Sequence, residues 1–149
     1  MAPRTRTDLS ELGRALHDGF ARYSDPGTSF CEYCYTTDEL RRITASSIPA
    51  LSPDDARTLL WECWDHWESA DVYRHYLPRI LEVLGPPDLE EDLYAGHVLE
   101  TLASLGFQNW PEAERRAVLD FLEAVGPHCN HNDRDRHVWS AALDGLRIP

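Results

Sequence analysis

Cys31 and Cys34 stand two residues apart within Phe30-Cys-Glu-Tyr-Cys-Tyr35, a spacing that lets two thiolates point at one Zn²⁺ from a turn just before a helix. One such pair is half of a tetrahedral site. The other half is sought in His128-Cys129-Asn130-His131, where a cluster of ligand-type side chains follows a Gly-Pro pair. Cys31, Cys34, Cys129 and His131, with His128 as the alternate fourth ligand, would form a closed Cys₃His zinc site tying the N-terminal third to the last helix. Two other readings compete with it. Cys31 and Cys34 are also readable as reduced thiols packed by Phe30, Tyr33 and Tyr35, or as a redox dithiol whose thiolate is favoured by a helix start. The strand pattern that accompanies a thioredoxin-like motif is missing.

Cys63 and His66 share one helical face at i and i+3, but Cys63 lies in an apolar stripe between Leu60 and Trp64 and reads as a small core side chain. His17, His75, His97 and His137 stand alone in the sequence. Glu90, Glu91 and Asp92 are adjacent, so on a helix they point in different directions and suit a solvated first turn better than a metal. No phosphate-cradling glycine loop, nucleophile elbow or HExxH is present, so no motif names a reaction or an organic cofactor. Five tryptophans, Trp61, Trp64, Trp67, Trp110 and Trp139, are a large aromatic share for 149 residues. Trp61 is off the face of Trp64 and Trp67, which implies a helix wedged between neighbours or one ring turned to a partner.

The elements that must position these residues are helical throughout, because apolar residues recur at three- and four-residue spacing and strict alternation is hard to find. The stripe Leu9, Leu12, Leu16, Phe20 and Tyr23 predicts a helix over 8–23, stopped by Asp25-Pro26-Gly27. Thr36 or Thr37 caps a short helix to about Ser46, with Leu40 and Ile43 inward. Ser52, Pro53 and Asp54-Asp55 open a helix to Trp67, Asp55 completing a capping box. Asp71–Leu84 follows, with a kink or break expected at Pro78. Further helices run from Asp88 to Leu105 with Gly106 as the stop, from Trp110-Pro111 to Val125 with Gly126-Pro127 as the stop, and from Asn132 onward, burying Val138, Trp139, Ala142, Leu143 and Leu146. The expectation is a single all-α domain over residues 1–149, fraying at 1–7 and 147–149. It comprises about seven helices in an irregular bundle or a short repeat-like stack of antiparallel pairs.

The chain carries 14 basic residues, all arginine, against 26 acidic ones, a net charge of −12. That balance argues against nucleic-acid binding and against an anionic membrane surface, both of which need clustered cations. No apolar run reaches the roughly 18 residues of a membrane span, and the start has no apolar secretory segment, so a soluble cytoplasmic protein is expected.

Cys31-x-x-Cys34, Trp64-Asp-His-Trp67, Asp71-Val-Tyr-Arg-His-Tyr-Leu-Pro-Arg-Ile-Leu-Glu82 and Asn109-Trp-Pro-x-x-Glu114 together resemble a family of small uncharacterised bacterial proteins. The likeness covers roughly residues 30–125, and Leu77-Pro78-Arg79 is its most specific part. The resemblance implies an all-helical fold with no known activity, and the family's cysteine cluster is tighter than the one here. Arg79 is expected to pair with Glu82 or with a carboxylate on a neighbouring helix. The functional expectation is a protein-interaction module with an acidic, Trp-bearing helical surface and a protein partner. A zinc-stabilised helical protein and a small thiol redox protein are the alternatives.

Overall fold

The computed structural model describes residues 6–23, 36–62, 70–84, 93–129 and 133–147. Within them lie seven α-helices: α1 (Arg6–Phe20), α2 (Thr37–Ala45), α3 (Pro53–Glu62), α4 (Ala70–Glu82), α5 (Leu93–Ser104), α6 (Glu112–Cys129) and α7 (Asp133–Arg147). Short 3-10 turns at Ile48–Ala50 and Phe107–Asn109 precede α3 and α6. The described residues contain no strand, and none of their helices is long and apolar enough to cross a membrane.

Local chemistry explains three of the helix ends. At α2 the capping box is complete: Glu39 N–H donates to Thr36 Oγ1 at 3.1 Å, and Thr36 N–H donates to Glu39 Oε1 at 2.9 Å. At α3 Asp55 N–H donates to Ser52 Oγ at 3.1 Å, but the Asp55 carboxylate turns to Arg42 instead of closing the expected box. α5 ends where Gly106 takes φ 73°, a left-handed conformation that an L side chain resists.

Neither Pro78 nor Pro127 breaks its helix. α4 runs unbroken through Pro78, which is itself buried beside Tyr76, Leu77, Ile80 and Leu81. A mid-helix proline costs about 3 kcal/mol, and burying several large apolar side chains at roughly 1.5–3 kcal/mol each outweighs it. α6 continues past Gly126-Pro127 to Cys129. Gly126 lacks the Cβ that would clash with the proline ring, so the usual bias of a pre-proline residue against helix is weakened.

α4 lies among α1, α3 and the first 3-10 turn, while α1 packs most extensively on α6. Their shared core contains Leu16, Phe20, Tyr73, Leu77, Leu81, Val118, Phe121 and Leu122. Burial alone pushes the hydroxyls of Tyr73 and Tyr76 upward, that of Tyr76 to about 12. The second seam joins α6 to α7, where Trp139, Leu143 and Leu146 are buried. Val138 is 60% exposed, contrary to the expected inner face. The stripe 139, 143 and 146 fixes the phase of α7 and turns its neighbour outward.

Candidate functional site

Three polar clusters tie helices together. The largest sits where the end of α1 and the start of α6 meet α4. Glu114, in the first turn of α6, is only 4% exposed, and its carboxylate accepts from Tyr23 Oη at 2.9 and 2.8 Å and from Arg22 Nη2 in a close contact. Arg74 of α4 lies alongside, with Nε 3.8 Å from Glu114 Oε1 and Nη1 donating to Tyr23 Oη and to Asp71 Oδ1, each at 3.2 Å. Its guanidinium stacks over Trp110, 4.2 Å from the ring centroid, and Trp110 packs edge-on against Phe20 and Phe107. His75 Nδ1 donates to the Tyr23 carbonyl in a further close contact. Burial, reinforced by the hydrogen bond to Glu114, raises the Tyr23 hydroxyl above its ordinary value and holds it as a donor.

The second cluster joins α1 to α4. His17 Nε2 donates to Glu82 Oε1 at 2.6 Å, and Gly13 leaves the room, since a Cβ there would lie 3.4 Å from Glu82 Oε2. Glu82 is therefore taken by His17, and Arg79 instead donates from Nε to the Leu51 carbonyl at 2.7 Å. That corrects the carboxylate expected as its partner: the chain end left by the 3-10 turn is the nearer acceptor. The third cluster is a forked pair. Arg42 Nε and Nη2 donate to Asp55 at 2.9 and 2.5 Å, and this contact holds the Asp55 carboxyl below the usual carboxylate range.

The sign of the Asp55 effect follows from its lowered value. Its stabilisation is present above about pH 4, where the unfolded carboxyl is ionised, and is lost as pH falls further. Asp55→Asn is expected to cost about 1–2 kcal/mol near neutral pH. Thermal melts of wild type and variant should converge as pH drops from 5 to 3, and a pH-independent gap would show that the ion pair does not stabilise the fold.

The surface also carries an open apolar groove of about 420 Å³ between α5, the second 3-10 turn and α7. Leu99, Ala103, Phe107, Ala142, Gly145 and Leu146 line it, with Glu100 on its α5 wall. A smaller notch of about 270 Å³ between α6 and α7 is floored by Trp139 and Leu143.

Of the residues expected to bind zinc, Cys31, Cys34 and His131 lie outside the described residues, as do Cys63 and His66. Cys129 is the last residue of α6 and His128 beside it is exposed. Glu114 and Cys129 stand fifteen residues apart on α6, about 22 Å along its axis. Among the described residues no group of three or more His, Cys, Asp or Glu is placed to hold a metal. Trp110 is buried, and Trp139, also buried, reaches the surface only at the floor of the α6–α7 notch; the side chains of Trp61, Trp64 and Trp67 lie outside the described residues. The Glu114 cluster and the groove were not visible to sequence reasoning. Trp-Pro-x-x-Glu114 was the one signal near either, and it gave no partner for the carboxylate. Set against protein-family models, curated proteins and solved structures, the chain matches none.

Proposed function

We propose that this chain is a protein-interaction module, an acidic helical bundle that receives a segment of a partner protein. The open groove between α5 and α7 carries the reading, because it joins apolar side chains from two helices and a 3-10 turn in one concave surface. The polar clusters support it from the other side: Glu114, Glu82 and Asp55 are engaged in holding helices together, which is structural work. A net charge of −12 favours a cationic protein over nucleic acid as the partner. The same reading sets the protein in the cytoplasm, where its four cysteines stay available as thiols.

The test is capture from extracts of the source cell with wild type and with Ala103→Leu/Gly145→Leu, which fills the groove. A protein retained by wild type and lost with the filled variant is expected. Identical capture profiles for the two would remove the groove from the function, and no capture by either would remove the interaction reading.

A further inference from the structure

α2 is attached to the fold by few groups. Ile43 is its one fully buried side chain, Leu40 is partly buried against the same core, and six of its nine residues are exposed. α4, by contrast, buries Tyr73, Tyr76, Leu77, Ile80 and Leu81. Among the described residues, the polar tie that leaves α2 is the Arg42 fork, whose Nε and Nη2 donate to the two carboxylate oxygens of Asp55. At nine residues α2 is short of the roughly 12–15 at which an isolated helix becomes more than marginal in water, so its docking rests on that fork and on Ile43.

Separating α2 from α3 strands neither charge. Arg42 keeps Asp38 and Glu39 four and three residues before it, and their charges already act on its guanidinium. Asp55 stays in the first turn of α3, at the positive end of the helix, with its own N–H on Ser52 Oγ. Other polar groups of α2 are satisfied within it: the Thr36–Glu39 box closes its start, Thr44 Oγ1 donates to the Leu40 carbonyl at 2.7 Å, and Ser46 Oγ donates to the Arg42 carbonyl at 2.9 Å. Just beyond, Ser46 and Ser47 are both extended, and the chain is gripped again at Leu51, 1% exposed, whose carbonyl accepts from Arg79. The 3-10 turn before Leu51 packs on α4. A rotation about Ser46 and Ser47 therefore moves α2 and leaves that turn in place.

We propose that α2 is a latch, a helix that opens as a unit of its own about Ser46 and Ser47 while α3 and α4 stay closed, with the Arg42–Asp55 fork setting how often it opens. The open form uncovers the core seat of Ile43.

Hydrogen exchange of the full chain, followed by mass spectrometry where rates report opening equilibria, reads the latch directly. Amides of residues 40–46 are expected to be at least about 100-fold less protected than those of residues 76–81 in α4. Arg42→Gln and Asp55→Asn remove the fork from opposite sides, and each is expected to lower α2 protection by about tenfold; if one fails to fold, the other decides. Gly126→Ala, which acts at the α6–α7 seam, destabilises the closed and α2-open forms alike. It should lower protection in α4 and leave that of α2 within about twofold of wild type. Equal protection of α2 and α4, or the same loss in both on Gly126→Ala, would show that α2 opens only with the whole fold and would overturn the proposal. Fork variants that leave α2 protection unchanged would overturn it as well, because the fork would then not hold the helix.

Discussion

Glu114→Ala is expected to be the most damaging single polar substitution in the described fold, lowering stability by about 3–5 kcal/mol. Glu114 is 4% exposed and Arg74 is 14% exposed at its side chain, so removing the carboxylate leaves a largely buried guanidinium whose one remaining carboxylate partner among the described residues is the exposed Asp71. The magnitude comes from the buried guanidinium left with only an exposed counter-charge more than from the lost pair, since a buried ion pair as a whole is close to neutral in net stability. At roughly 2–4 °C per kcal/mol for a domain of this size, the melting temperature should fall by about 6–20 °C. Glu114→Gln keeps an oxygen for Tyr23 and removes only the charge, so it should lose less. If Arg74→Met is then added to Glu114→Ala, part of the loss should return. A loss under about 1 kcal/mol for Glu114→Ala would mean that water reaches the cluster and that the helices are held by their apolar faces alone.

Gly126→Ala is the second large effect, and it acts through one methyl group. The added Cβ would sit 2.6 Å from Trp139 Nε1 and 3.0 Å from its Cδ1, inside any real contact distance. The indole is 7% exposed and rigid, so α6 and α7 must separate or the ring must swing. Either movement breaks the hydrogen bond that Trp139 Nε1 donates to the Leu122 carbonyl at 3.3 Å. Overpacking of this kind costs about 1–3 kcal/mol and an unpaired buried N–H about 1–3 more, against about 1 kcal/mol regained in helix propensity. A net loss of about 1–5 kcal/mol is expected from these terms, with red-shifted tryptophan emission as the seam opens. A double-mutant cycle with Trp139→Phe should show coupling above about 1 kcal/mol. Additive effects would mean that the clash relaxes elsewhere.

The apolar stripes of α1, α4 and α6 were legible because Leu16, Leu77 and Val118 repeat with their neighbours at helical spacing, and burial follows that spacing directly. Caps at Thr36 and Gly106 were equally local and equally readable. The continuity of helix through Pro78 and Pro127 was not, since it depends on what packs around each proline. Val138 was assigned inward because periodicity alone leaves the phase of α7 loose by one residue, and Trp139 settles it through a contact seventeen residues back in the chain. The Glu114 cluster escaped notice for the same reason: Tyr23 and Glu114 are 91 residues apart, and no local pattern announces such a pair.

That separation bears on how the protein is made. α1 finds its most extensive partner in α6, and at about 5–20 residues per second the ribosome needs roughly 5–20 s to synthesise the 91 residues between Tyr23 and Glu114. Throughout that interval the Leu9, Leu16 and Phe20 stripe of the nascent chain lacks the α6 part of the surface that finally covers it. α1 is thus made well before α6, the helix on which it packs most extensively. A chain halted before α6 carries an amphipathic α1 whose α6-facing side is uncovered, the state in which aggregation or chaperone capture competes with folding.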